Sequence, residues 1–459
     1  MNAKCALLLK QASVYLGAAH PVMKPLPILS TLAAFLTLSL AARAENWGQW
    51  RGPAFNGSST ETGLPETWTK ETVKWSAPLP GPSGATPAVW GDRIFVSSPD
   101  AEKNLLLLCY NRKDGALLWK KQITSGDITK GKGNMASPSP IADGKLVYIL
   151  FGTGDLAALD FDGKIVWQRN LGKDYGRFSI NWIYGSSPLL YEGRLYIQVL
   201  QRSPAPPDYP GLAGGSPDRE SYLLALEPAT GKTLWKQVRP TVATLESQES
   251  YATPTPHIGL DGKKQILVYG GDCLTGHDAA TGEELWRGYG FNRTHGGFMR
   301  QVATPVSLDG AAVACGPKKE PVLAFRTDAK GDISTSGLVW TFDERKTPDV
   351  CTPALYKGKL FVLDGDSHTL TCLDPKTGQK KWQGELPLRD TVRSSPTAAD
   401  GKLYVLTEKG NVMVCGACDE FKVLATIPMG DPDGSRSAIP VSDGDLFIRT
   451  TQTLYCVGK

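Results

Sequence analysis

The sequence predicts an all-β chain folded as a single eight-bladed propeller of four-stranded antiparallel blades. Three observations predict it. A turn-and-tryptophan string recurs, a proline-led pair of strands recurs, and the incomplete repeats at the two ends complete one another.

The turn string is plainest in "LEPATGKTLW" (226–235), "HDAATGEELW" (277–286), "LDPKTGQKKW" (373–382) and "YNRKDGALLW" (110–119), with a shorter cousin "LDFDGKIVW" at 159–167. In 373–382, Asp374 and Thr377 are placed to hydrogen-bond the turn backbone, and Gly378 accepts positive φ without steric cost. The tryptophan that follows buries a large ring against the next blade, and its N–H needs a partner. Many copies of one catalytic centre would serve no purpose, whereas many copies of a fastener are what a ring requires. Trp75, Trp119, Trp167, Trp235, Trp286, Trp340 and Trp382 are therefore assigned to blade docking. In the eighth, degenerate copy, "CDEFKVLAT" (418–426), Val423 or Leu424 replaces the tryptophan.

Ahead of each turn stands a small-residue–Pro lead-in and a strand pair, as in "RSSPTAADGKLYVL" (393–406), "GSSPLLYEGRLYIQV" (185–199) and "CTPALYKGKLFVL" (351–363). Alternation within "KLYVL" and "TLTCL" is strand periodicity, bounded by Gly, Asp and Pro turns. Four short strands per unit of roughly 40–50 residues mark a propeller blade. The lead-in prolines are Pro87, Pro138 or Pro140, Pro188, Pro254, Pro305, Pro353, Pro396 and Pro440, which makes eight. The last unit, 436–459, stops before its fourth strand, while "TVKWSAPL" (72–79) is a tryptophan strand without the three strands that precede it elsewhere. Strand 72–79 is expected to close the last blade and leave no open ring.

The N-terminus reads as a targeting segment. Lys24 precedes the apolar run "ILSTLAAFLTLSL" (28–40) and then "ARA" (42–44), a charged region, an apolar region and a cleavage site. The apolar run is shorter than the ~20 residues that span a bilayer. Met23 makes a more conventional start than Met1. The expected organisation is a signal region 1–44, a leader 45–71 and the propeller 72–459, exported to the periplasm or beyond. No Cys follows the cleavage site, so a lipid anchor is not expected, nor is an integral membrane segment after cleavage. The whole chain carries a formal charge of +4; Lys4, Lys10, Lys24 and Arg43 account for all of it, so the remainder is neutral. A neutral chain has no electrostatic footprint for nucleic acid.

Eight cysteines remain beyond the signal region. Cys109, Cys372, Cys415 and Cys456 occupy the repeat position that Ala158, Ala225 and Ala324 hold elsewhere, which reads as a small buried packing site. "CGAC" (415–418) lacks the His of a haem attachment motif. The histidines share no metal-ligand spacing, and "DGDSH" (364–368) and "DPDGS" (431–435) lie where turns are due. No metal site, catalytic residue or nucleophile elbow is assigned.

With the pattern "ALEPATGKTLW" (225–235) in hand, the chain resembles the pyrroloquinoline-quinone-like (PQQ-like) repeat propellers over essentially everything beyond the signal region. "NWGQWRGPAFNGSSTETGLPETW" (46–68) also resembles the leader of an exported subgroup. The resemblance implies one of two roles: a quinoprotein dehydrogenase of alcohols or sugars, holding PQQ and Ca²⁺ at the ring centre, or a non-enzymatic scaffold similar to the BamB-type assembly factor. Dehydrogenases of the family resemble one another in a pair of adjacent cysteines under the quinone, and this chain has no Cys-Cys. The expectation is therefore a monomeric envelope scaffold without a cofactor. Its partner would be a protein or peptide, or a small anionic or sugar ligand, and a carbohydrate-binding propeller is a further alternative.

In propellers of this family the loops leading into each blade surround one channel mouth. On that basis Arg177, Asn181, Trp182, Tyr184, Tyr251, His295, Arg300, Arg389, Arg393 and Arg436 are expected to form a ligand or partner site. The Pro- and Gly-rich insertion 202–220 is expected on the same face, partly covering the mouth.

Overall fold

The computed structural model describes residues 45–212, 218–430 and 434–459. The proposed signal region 1–44 lies outside them, as do 213–217 of the insertion and 431–433 of "DPDGS".

Eight antiparallel sheets of at least four strands form the ring. Blades 1 to 7 span 88–125, 141–170, 189–238, 255–289, 306–342, 354–385 and 397–428. Blade 8 takes its three inner strands from 441–457 and its outer strand from Trp75–Pro78, in the order expected for ring closure. Trp75 pairs with Cys456 and Pro78 with Thr453.

Each blade is sandwiched between two others, so its middle strands are buried on both faces and read as unbroken apolar runs. Asn104–Asn111, "NLLLLCYN", is buried at every position but its ends. One apolar cluster joins Tyr148 and Leu150 of blade 2 to Leu195 and Ile197 of blade 3. Another joins Phe361 of blade 6 to Leu403 and Met413 of blade 7. The core is thus a circle of blade–blade interfaces, as in any ring of stacked units.

The turn string shows how those interfaces are fastened. Gly378, at φ +69°, presents its bare backbone to Trp340 of the preceding blade; a Cβ there would sit 2.6 Å from the indole. Trp340 Nε1 donates to the carbonyl of Pro375 in the same turn at 3.0 Å. Trp75, Trp119, Trp167 and Trp382 likewise donate to Arg112, Phe161, Pro228 and Cys418 of the next blade. Trp235 lies on Gly282 without that bond, and Tyr196 donates to the equivalent carbonyl, that of Ala279.

Trp286 departs from the rule. It lies over its own blade against Gly276 and donates to Gln265 Oε1 at 2.8 Å. Blade 5 has an expanded turn, whose Gly331–Asp332 pairs in parallel with the outer strand of blade 4 instead of offering a docking glycine.

The tryptophan faces Cys109, Ala158, Ala225, Gly276, Ala324, Cys372 and Cys456 across the sheet. Cys415 does not belong to this set. In blade 7 the equivalent residue is Val414, opposite Ala425, and Cys415 is one step on, pointing to the other face. The degenerate turn hid that one-residue shift. All eight described cysteines are free, and only Cys418 is not fully buried. Among the described residues no helix is long and apolar enough to cross a membrane.

Candidate functional site: a channel with a floor

The lead-in segments line the central channel, and they are stitched to one another by a belt of hydroxyls. The residue before the lead-in proline is Thr86, Ser139, Ser187, Thr253, Thr304, Thr352 and Ser395 in blades 1 to 7. The backbone N–H of each of the first six donates to the hydroxyl of the next, at 2.9–3.1 Å. Blade 8 carries Ile439 at that place, and the ring is rejoined by Ala438 N–H donating to Thr86 Oγ1 at 3.2 Å. The belt assigns Pro140, after Ser139, as the lead-in proline of blade 2.

The leader 45–64 closes one end of the channel. Val89 and Ala142 donate their N–H groups to Trp47 and Gly48 carbonyls, and Gln49 exchanges two bonds with the Leu190 backbone. Trp50 Nε1 donates to Thr304 Oγ1 at 3.3 Å. Leu355 and Ala398 donate to Asn56 and Gly57, and Gly444 N–H donates to Glu61. Seven of the eight blades are touched. The backbone partners Val89, Ala142, Leu190, Leu355 and Ala398 each lie three residues after the belt hydroxyl of their blade, so the leader lies below the belt.

Arg51 is the centre of this floor. It is 1% exposed and gives its guanidinium to the carbonyls of Pro353 at 2.7 Å and Pro396 at 3.0 Å, in two different blades. Among the described residues no carboxylate pairs with it, and burial pulls its pKa down to about 9.

The mouth lies two to seven residues before the belt. A cavity of about 370 Å³ runs from it to Trp50, lined by belt hydroxyls and by Lys132, Trp182, Tyr251, Arg300, Arg393 and Arg436. Five of the expected site residues are thus brought together: Trp182, Tyr251, Arg300, Arg393 and Arg436. Asn181 stands just behind the rim, accepting from Lys130 Nζ at 2.6 Å.

The other four lie elsewhere. Tyr184 is buried in the blade 3 core, its ring 4.4 Å from Phe178 and its hydroxyl donating to Gln198. It follows the outward Trp182 by two residues, but the intervening Ile183 adopts φ +71°, which breaks the alternation and turns Tyr184 inward. Arg177 reaches outward to the Gly211 carbonyl. His295 is an exposed turn residue bonded through its N–H to Asn292. Arg389 pairs with Glu385 on the surface.

Every cation lining the mouth has a carboxylate partner. Arg300 pairs with Asp349 at 3.0 Å and Glu246 at 3.4 Å, and Arg393 with Asp366 at 2.7 Å. Arg436 and Lys132 share Glu408, at 2.8 and 3.2 Å. Burial pushes Glu408 up, but these two cations outweigh it and hold the carboxyl below its ordinary range. Glu246 Oε1 also accepts the Trp182 indole N–H at 3.0 Å, which fixes the ring at the rim.

Behind the rim, Glu249 is fully buried. It accepts from Tyr251 Oη at 2.8 Å, from the Asn181 N–H at 2.9 Å, and from Tyr209 of the insertion. Desolvation pushes it up to about 7 against those bonds. The insertion therefore braces the rim through Tyr209, and none of its described residues lines the cavity. Glu246, Glu249 and Lys132 carry no sequence signal. The belt does carry one, the hydroxyl before seven of the eight prolines.

A quinone with Ca²⁺, the pair that the resemblance to quinoprotein dehydrogenases would call for, does not suit the residues present. Ca²⁺ takes six to eight oxygen ligands, whereas the mouth carboxylates are committed to arginines and lysine. Among the described residues no cluster of three His, Cys, Asp or Glu could hold a metal. Asp364 caps its own turn through Ser367.

The family described as outer membrane protein assembly factor BamB matches residues 68–203, 183–336 and 326–419. No curated protein matches the chain. Among solved structures, BamB from Moraxella catarrhalis is 15% identical, with a TM-score of 0.58 over 84% of this chain and 98% of that one. A quinohemoprotein alcohol dehydrogenase from Comamonas testosteroni is 12% identical, with a TM-score of 0.62 over 90% and 80%. A europium-containing methanol dehydrogenase is 11% identical, with a TM-score of 0.61 over 89% and 90%. At these identities the likeness is one of fold. The match to the family runs from the closing strand through six blades into the seventh, and the chain belongs to the BamB-like family of PQQ-like repeat propellers.

Proposed function

We propose that this protein is a cell-envelope binding propeller that works without a cofactor and holds its ligand or partner at the Trp182–Tyr251 mouth. The observation that carries the reading is the committed charge of that mouth: four cations face Glu246, Asp349, Asp366 and Glu408. Hydride transfer to a quinone needs cofactor, cation and base in one fixed constellation. A collar of closed ion pairs is instead a rigid recognition surface. Membership of the BamB-like family supports an envelope location, and the export reading rests on residues 28–44 alone.

Titration of the purified protein with PQQ and Ca²⁺, followed by dye reduction with alcohols and sugars, tests it. The expected outcome is no saturable cofactor binding and no substrate-dependent dye reduction. One-to-one cofactor binding with turnover would overturn it in favour of a dehydrogenase.

A further inference from the structure

The channel's own chemistry narrows the occupant. Its lining offers three kinds of group, each from a different part of the chain. The first is the belt: Ser139, Ser187, Thr253, Thr304, Thr352 and Ser395 line the cavity. Each hydroxyl accepts a backbone N–H, and none donates to a protein acceptor among the described residues. A hydroxyl is one donor and two acceptors, so a row of protons is left for whatever fills the channel.

The second is the collar. The lining itself carries four cations, Lys132, Arg300, Arg393 and Arg436, each backed from behind the lining by Glu246, Asp349, Asp366 or Glu408, so the eight charges sum to zero. Each of these cations already has a carboxylate within 2.7–3.4 Å, which offsets much of the attraction a free anion would feel. A neutral group that both donates and accepts can add to an ion pair without breaking it.

The third is aromatic. Trp182 is 40% exposed at the rim, and Trp50 lies at the bottom, each held by its N–H. Both rings are thereby fixed; Arg51 lies 5.7 Å over the Trp50 ring and Trp182 rests on Gly131, so the exposed part of Trp182 is the surface offered for stacking.

Resting on the reading of the mouth as a binding site, we infer that the channel takes a neutral carbohydrate of one or two rings, entered end-on. Its hydroxyls match the belt hydroxyls and the charge-compensated cations of the collar, and its C–H faces match the exposed part of Trp182. The floor makes the channel blind, which favours a compact ligand over a peptide threading through. The cavity's 370 Å³ falls in the range of about 300–1,000 Å³ usual for small-molecule sites.

The test is calorimetric titration of the purified protein with cellobiose, maltose and diacetylchitobiose, beside glucuronate, citrate and trialanine. Each is repeated at about 0.05 and 0.5 M salt, across which exposed charge–charge attraction is largely screened. At least one neutral disaccharide should bind one-to-one, with an affinity that changes less than about twofold between the two salts. Trp182→Ala should weaken it by about tenfold or more. Ser395→Ala, a smaller change, should weaken it by severalfold, and Arg389→Ala, outside the channel, should leave it unaltered.

Preferred, salt-sensitive binding of glucuronate or citrate would overturn the neutral assignment while leaving the mouth a binding site. Binding of trialanine alone would do the same in favour of a peptide. No saturable heat from any probe would overturn the carbohydrate assignment, and the dye-reduction test then decides the proposed function separately.

Discussion

At Gly378 two demands meet in one residue, a left-handed backbone and a tryptophan ring where its Cβ would be. Gly401 has nearly the same backbone, φ +72°, with nothing within 4 Å of where a methyl would stand. Gly401→Ala therefore reads backbone strain alone, about 1 kcal/mol, and Gly378→Ala should cost about 2–4 kcal/mol in denaturant unfolding. Equal losses would mean that the turn glycine serves only the turn. Glu249 gives a second residue-scale prediction. Its folded pKa of about 7 stands above the 4.5 of a free carboxyl, so the protonated form is favoured by folding. That stabilisation is complete below about pH 4.5 and is lost as pH rises through 7, by up to about 3 kcal/mol. Glu249→Gln should thus gain stability relative to the parent between pH 5 and 8, measured by urea midpoints; a constant difference across that window would contradict it.

The elements were legible where repetition made them so. The turn string, the lead-in prolines and the two end fragments point to eight blades and the closing strand, because each is a local pattern with its own physical cause. Blade 7 shows the limit: with no tryptophan to mark register, the repeat pattern sets Cys415 one residue away from its true alignment, which a two-residue strand period cannot forgive. The mouth was legible only in part. Trp182 and Arg300 stand out as unusual residues near prolines, but Tyr184 lies two positions from Trp182 and faces the core. The leader was least legible of all, since its partners are scattered from Val89 to Gly444. It makes an element-scale prediction. Arg51→Lys keeps the charge but replaces a fork that spans two blades with a single ammonium. The buried carbonyls of Pro353 and Pro396 cannot both be met, and the loss should be about 1–3 kcal/mol in thermal or denaturant unfolding.

Across the whole molecule, the ring is closed by the outer strand of blade 8 and braced by a hydroxyl belt that links every neighbouring pair of blades but 7 and 8, and by the leader beneath it. The strand closure is testable by Ala77→Pro. Leu79 N–H bonds Gln452, so Ala77, two residues back and opposite Leu454, occupies the next hydrogen-bonded pair, and proline removes its donor. Amide exchange should quicken in 453–457 and in the facing strands of blade 1, with little change in blades 3 to 5. Uniform acceleration would show that the ring opens only as one unit.

The leader has a further consequence in time. It is the first part of the fold to leave the ribosome, yet its bonding partners arrive with almost every later segment, the last of them near Gly444. Until blades 6 and 7 exist, the Arg51 charge has neither carbonyl to rest on. A chain cut short would carry a loose, unsheltered leader, whereas a finished one pins it down. The oldest segment of the nascent chain thus becomes a record of whether synthesis ran to its end.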